Sequence, residues 1–161
     1  MYKRQGNGRV LQGYKADGVT EIAKEDLLYT DADFLIPAAL EGQITADNAD
    51  RVKAKYIVEG ANGPTSYEAD QILNAKGKIV VPDILANAGG VIVSYFEWVQ
   101  NLQSLSWSLE EVNNKLADIL LKAFDEVYGL TEERGYPMRT SAYIIALRRL
   151  VKTKKIRGIF P

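Results

Sequence analysis

Three short apolar runs, Phe34–Ile36, Tyr56–Glu59 and Ile79–Val81, recur along the first half of the chain. Between them lie segments with helical spacing of polar and apolar residues. Short apolar runs bounded by turn residues read as buried parallel strands. Alternation with helical segments is the arithmetic of βαβ units. Glu21 to Tyr29 predicts a short helix before the first strand, and Thr45 is placed to cap another from Ala46 to Val52. Thr65 and Glu68 have capping-box spacing. They predict a helix from Ser66 to Lys76, with Gly77 as its stop. The strand at Phe34–Ile36 would present one open edge, a liability in any sheet.

The second half is helical. Ser108 and Glu111 form another capping box. Leu109, Val112, Leu116, Ile119, Leu120, Ala123, Phe124 and Val127 follow at helical spacing, predicting an amphipathic helix that ends at Gly129. Thr131 to Pro137 reads as a short polar loop. A last helix is expected from about Arg139 to Lys152, with Tyr143, Leu147, Leu150 and Val151 inward. Its basic end (Arg148, Arg149, Lys152, Lys154, Lys155) suits the helix dipole and reads as a solvated terminus. The fold expected is α/β: half of a Rossmann-like dinucleotide-binding sheet over residues 19–107, then C-terminal helices over 108–161 packing on it. Residues 1–18 form a poorly defined head. Gly6-Asn7-Gly8 within it lacks a preceding strand and a third glycine at helix-starting distance, so it does not read as a phosphate loop.

Between these halves runs Pro82 to Gln103, with Asn87, the pair Gly89-Gly90 and a long apolar segment interrupted by Ser94. By propensity Val91 to Phe96 is strand, being β-branched and aromatic. By context it follows glycines and suits a helix start whose free N–H groups face a ligand. On a helix, Val91 and Ser94 share a face.

Composition narrows the chemistry. The 161 residues contain no histidine and no cysteine. That removes disulfides, thiol nucleophiles, Ser-His-Asp triads and the usual zinc sites. Acid–base work would fall to Asp, Glu, Lys or Tyr. The balance of 20 basic and 21 acidic side chains offers no basic excess for nucleic acid. No apolar run reaches membrane-spanning length. Absence of cysteine fits a cytoplasmic protein.

Open α/β sheets bind ligands at the carboxyl ends of their strands. Ala38 and Ala39 follow the first strand there. Their small side chains would let a flat ring lie against backbone, or they simply pack a strand-to-helix turn. Asn62 sits in a tight turn, where Asn is common for backbone reasons. Its amide can also donate and accept at once. Ser94 can bond a carbonyl of the preceding turn or face a ligand.

The motifs Gly60-Ala61-Asn62-Gly63-Pro64-Thr65 and Pro82 to Gln103 together resemble the coenzyme domain of the glutamate dehydrogenases, within the glutamate, leucine, phenylalanine and valine dehydrogenase family. The resemblance runs from about Asp33 to Gly158. It favours the helix at Val91–Phe96. It implies oxidative deamination of L-glutamate to 2-oxoglutarate and ammonia, with hydride passed to NAD or NADP, in a homo-hexamer. It places Ala38, Ala39 and Asn62 beside the nicotinamide, and Asn87 where nicotinamide and substrate meet. It gives Val91 a place on the pocket wall and has Ser94 hold the substrate's side-chain carboxylate. A hydrogen bond from Ser94 to a carboxylate would contribute roughly 1.5–3 kcal/mol, one to two decades in affinity, so a lysine elsewhere would share that task, as it does in the family. The family's catalytic Lys and Asp match no residue of this chain, nor does its glycine loop. The chain therefore reads as truncated at its N-terminus and inactive alone. Glu97 reads as structural and Trp98 as core. The short Thr131–Pro137 loop, without the helical antenna of animal glutamate dehydrogenases, resembles the prokaryotic type. Leucine, phenylalanine or valine dehydrogenase is the neighbouring enzyme reading. A non-catalytic binding or assembly module is the alternative of another class.

Overall fold

The structure, a computed structural model, describes residues 13–158. Gly6-Asn7-Gly8 lies outside them. Three parallel strands form one sheet in the order of the chain: β1 (Phe34–Leu35), β2 (Tyr56–Val58) and β3 (Ile79–Val81). Phe34 pairs with Tyr56, and Ile57 is registered against both Leu35 and Val80. Ile57 is fully buried, as the middle residue of the middle strand should be. Helix α1 (Tyr67–Ala75) makes the crossover from β2 to β3. It packs Ala69 and Leu73 against Ile44, Ala49, Val52, Ala54, Ile57 and Val80 to form the first core cluster.

β1 is not the buried strand its apolar residues predict. Phe34 is 60% exposed, stacking on Tyr56 with ring centroids 4.9 Å apart. Ile36 is as open. Among the described residues no element covers that face or pairs with the outer edge of β1, so the open edge is as expected. Two early helices are also weaker than their spacing suggests. Lys24–Tyr29 is a 3-10 helix, and only Ala49–Arg51 forms a 3-10 turn where Ala46–Val52 was expected as a helix. Asn48 is the reason for the second. Its side-chain oxygen accepts from the Thr45 N–H at 2.9 Å, which ties the segment into a local turn that competes with a helical ladder.

The cap of α1 falls one residue later than expected. Ser66, not Thr65, accepts the Ala69 N–H. Thr65 is drawn into a parallel bridge with Ile44, and its buried hydroxyl has no hydrogen-bond partner among the described residues. A buried hydroxyl without a partner costs about 1 kcal/mol or more. Thr65→Val keeps the shape and removes that cost, so thermal unfolding should shift upward, by about 1 kcal/mol in stability. A loss of stability would show that the hydroxyl is satisfied.

Helix α2 (Asp83–Ala86) follows β3 directly and runs into α3 (Gly89–Gln103). The Val91–Phe96 segment is thus helical, against its strand propensity. Among the described residues it pairs with no strand, and the Ile92 N–H donates to the Ala88 carbonyl, so the turn begun in α2 propagates. Trp98, expected in the core, is 56% exposed, and Phe96 is the buried aromatic of α3, edge-on to Trp107. Glu97 is exposed and has no ion pair among the described residues.

Helix α4 (Leu109–Arg134) begins at the expected box. Ser108 Oγ accepts from Glu111 N, and the Glu111 carboxylate accepts from Ser108 N at 2.8 Å. The Ser108 N–H, then its hydroxyl, holds the Glu111 carboxyl below the usual range. A depressed carboxyl stabilises above its unfolded pKa and loses that contribution as pH falls through the folded one. Ser108→Ala should cost about 1 kcal/mol while keeping the backbone N–H that is the larger cause of the shift, whereas Glu111→Gln should destabilise at neutral pH by an amount that vanishes in acid. A pH-independent effect of Glu111→Gln would exclude this reading.

Gly129 does not stop α4. The helix continues to Arg134 and ends at Gly135, with φ of +68°. A helix-interior glycine costs about 1 kcal/mol relative to alanine. Contacts with the next helix offset it, including Thr131 Oγ1 to Ser141 Oγ at 2.9 Å. The loop shrinks to Gly135–Pro137, and α5 spans Met138–Arg157. Its inward face differs from expectation. Met138, Ser141 and Ala142 are buried, whereas Tyr143, Leu147, Leu150 and Val151 are exposed. Small residues bring the first turns of α5 against β3 and α4, and Leu85, Val127, Met138 and Ala142 make the second core cluster. On α4, Leu109, Ile119 and Phe124 are likewise more exposed than their periodicity suggests. The basic end of α5 is solvated, as expected. Among the described residues no helix is long and apolar enough to cross a membrane.

Candidate functional site

The carboxyl ends of β1 and β2 open onto a cleft of about 810 Å³ lined by Ala39, Leu40, Glu41, Gly60, Ala61, Asn62, Asn87 and Val91. Each strand contributes one segment. The residues after β1 supply Ala39 to Glu41. The turn after β2 supplies Gly60 to Asn62 and is reversed by Gly63, with φ of +55°. The residues after β3 supply Asn87, which closes α2, and Val91, on the first turns of α3.

Four of the six residues singled out from the sequence therefore meet on one cleft: Ala39, Asn62, Asn87 and Val91. Ala38 is next to it. A Cβ built on Gly60 would lie 3.0 Å from the Ala38 Cβ, so the two strand ends touch almost backbone to backbone. Ser94 lies one helical turn beyond Val91, exposed and outside the cleft lining. Leu40, Glu41, Gly60 and Ala61 also line it. Their position just past strand ends was the available signal.

The polar centre is a pair of amides. Asn87 Nδ2 donates to Asn62 Oδ1 at 2.6 Å. This leaves Asn62 its own NH₂ as donor and Asn87 its carbonyl as acceptor, side by side. A primary carboxamide presents the complementary acceptor and donor. The residues present thus fit the nicotinamide end of a dinucleotide: a small-residue floor, a paired amide recogniser and an aliphatic wall.

Behind the cleft lies a network absent from the sequence reading. Glu59 is completely buried at the end of β2. Its carboxylate accepts from Asp83 N at 2.8 Å and from Arg139 Nη2 at 2.7 Å. Asp83 accepts from Gly63 N at 2.8 Å and from Arg139 Nη1 at 3.2 Å. Asp70, on α1, accepts from Arg139 Nε at 3.2 Å. One guanidinium serves three carboxylates from three elements. Burial opposes its charge, but the hydrogen bond and charge of Glu59, then Asp70, outweigh this and raise the Arg139 pKa above its usual value.

The chain resembles proteins of known kind. It is 53% identical over 160 residues to a glutamate dehydrogenase of Thermotoga maritima, covering 99% of this chain and 38% of that protein. It is 54% identical over 138 residues to an NADP-specific glutamate dehydrogenase of Synechocystis, covering 86% of this chain and 32% of that one. The crystal structure of a hetero-hexameric glutamate dehydrogenase from Thermus thermophilus superposes with a TM-score of 0.82 at 37% identity, over 89% of this chain and 35% of that one. The chain spans well under half the length of each. Residues 1–158 match the Glutamate/Leucine/Phenylalanine/Valine dehydrogenase family, and with the fold and cleft in agreement the chain belongs to that family.

Proposed function

We propose that this chain forms the nicotinamide side of the active site of an NAD(P)-dependent glutamate dehydrogenase. The carrying observation is the bonded pair Asn62–Asn87 at the carboxyl ends of parallel strands, beside Ala39 and Val91. A nicotinamide coenzyme held here would supply the hydride acceptor for the α-carbon of L-glutamate, the overall change taking L-glutamate, oxidised coenzyme and water to 2-oxoglutarate, ammonium and reduced coenzyme. Asn62 and Asn87 hold the ring's carboxamide and so fix which face of the ring meets the substrate. Ala38 and Ala39 let the ring approach the strand ends. Val91 forms the apolar wall that excludes water, and Asn87 meets both ligands. Ser94, one turn along α3, donates to the substrate's side-chain carboxylate from the rim. The catalytic acid–base groups are supplied from outside this chain, and the intact enzyme is a cytoplasmic homo-hexamer. The site-bearing unit is residues 19–107, and the C-terminal helices of the 108–161 segment pack on it as far as the described residues run, to 158.

The test is a chimera in which this chain replaces the corresponding segment of the Thermotoga maritima enzyme. Glutamate-dependent reduction of NAD or NADP is expected. Asn62→Ala should lower kcat/KM about tenfold or more through one lost hydrogen bond. An assembled chimera without activity, or one that prefers leucine, phenylalanine or valine, would overturn the reading.

A further inference from the structure

We propose that Arg139, on α5 and outside the cleft, is the positioning residue that sets the Asn62–Asn87 pair. The inference rests on the reading of that pair as a carboxamide site. The two asparagines sit on separate loops, and the loops are joined at their roots. Asp83 opens the helix that ends at Asn87, and its Oδ2 accepts from the N–H of Gly63, next to Asn62. Glu59 precedes the Gly60–Asn62 turn, and its Oε2 accepts from the N–H of Asp83. Those two bonds set the distance between the loops, yet they bring two carboxylates together, with Asp70 a third. Arg139 resolves the repulsion. Its Nη2 donates to Glu59, its Nη1 to Asp83 and its Nε to Asp70.

Two observations separate this from an incidental ion cluster. Arg139 lies in the first turn of α5, where a cation opposes the helix dipole, so its place does not serve its own helix. All three guanidinium nitrogens are engaged, in a planar fork that lysine cannot reproduce. The fork fixes directions as well as charge, and direction is what a 2.6 Å bond between two loop side chains requires.

The test uses the 161-residue chain, with the side-chain amide signals of Asn62 and Asn87 read by nitrogen-15 NMR. Arg139→Lys retains the charge and removes the fork. It should move the Asn87 amide signals toward those of a free side chain in the folded protein. The response of both asparagines to millimolar nicotinamide mononucleotide should weaken about tenfold. Ser108→Ala, which removes the cap of α4 at a residue outside both the cleft lining and the Arg139 network, should leave both readouts at parent values. If Arg139→Lys does not fold, Asp70→Asn, whose carboxylate bonds Arg139 and neither of the two loops, weakens the same fork and should give shifts in the same direction. Amide signals unchanged in the folded variant, with only the melting temperature lowered, would overturn the proposal and leave Arg139 a structural residue. A parent chain whose asparagines ignore the mononucleotide would instead overturn the nicotinamide reading, and the amide shifts alone would then decide the positioning role.

Discussion

Arg139→Met should lose about 3–5 kcal/mol of folding stability, the range for removing one partner of a buried charge network. The methionine fills much of the same space, so the loss is electrostatic more than volumetric. Glu59 has no exposed surface, and Asp70 and Asp83 are 9% and 16% exposed at their side chains. Without the guanidinium, three carboxylates would face one another with little water. The measurement is urea unfolding of parent and variant under identical salt. Adding Glu59→Gln should recover part of the loss, because neutralising one carboxylate relieves the repulsion the first change exposed. The coupling between the two sites should amount to roughly 1–3 kcal/mol. A loss under about 1 kcal/mol, with no coupling, would mean that water reaches the network and screens it as at a surface.

Gly60→Val should damage stability and the cleft together. The backbone of Gly60 needs no left-handed conformation, so the argument is one of space alone. The first added carbon would meet the Ala38 Cβ at 3.0 Å and its Cα at 3.4 Å, with Ile36 Cγ2 at 3.6 Å. Backbone can give little there, because the Ala61 N–H donates to the Pro37 carbonyl at 2.8 Å and ties the same two segments. Overpacking of this kind costs about 1–3 kcal/mol. The displaced strand ends carry Ala39 and Asn62, so response to nicotinamide mononucleotide should fall at least tenfold in whatever fraction remains folded. Gly60→Ala should show a smaller loss of the same kind. Undiminished binding in Gly60→Val would show that the cleft does not depend on the contact of the two strand ends.

Much of the site was legible because it lies at strand ends. Short apolar runs stopped by Pro37, Gly60 and Pro82 located β1, β2 and β3. Once the strands are parallel, everything that follows each of them converges. That allows Ala39, Asn62, Asn87 and Val91 to meet on one cleft, although the residues by themselves left plain turn readings open and the family resemblance singled them out. The Ser108–Glu111 box was legible for a similar reason: both halves lie within one turn. The helix at Val91–Phe96 was not settled by its residues, since β-branched and aromatic side chains favour strand. Resemblance to the family indicated the helix, and the hydrogen bonds carried over from α2 account for it.

The hydrophobic period along the chain determined the three strands and the helices after β2 and at the C-terminal end, and residue type determined which chemistry is open to them, with neither histidine nor cysteine available. Tertiary structure decided which apolar faces find a partner. Tyr143, Leu147 and Leu150 repeat at helical spacing, yet Met138, Ser141, Ala142 and Ile145 are the α5 residues that pack inward, so those three stay in solvent. It also decided the charges. Glu59 and Arg139 are 80 positions apart, and no local spacing marks them as partners. Periodicity reports on neighbours within about one turn. A buried ion pair between distant elements exists only once the packing of those elements has excluded water from both.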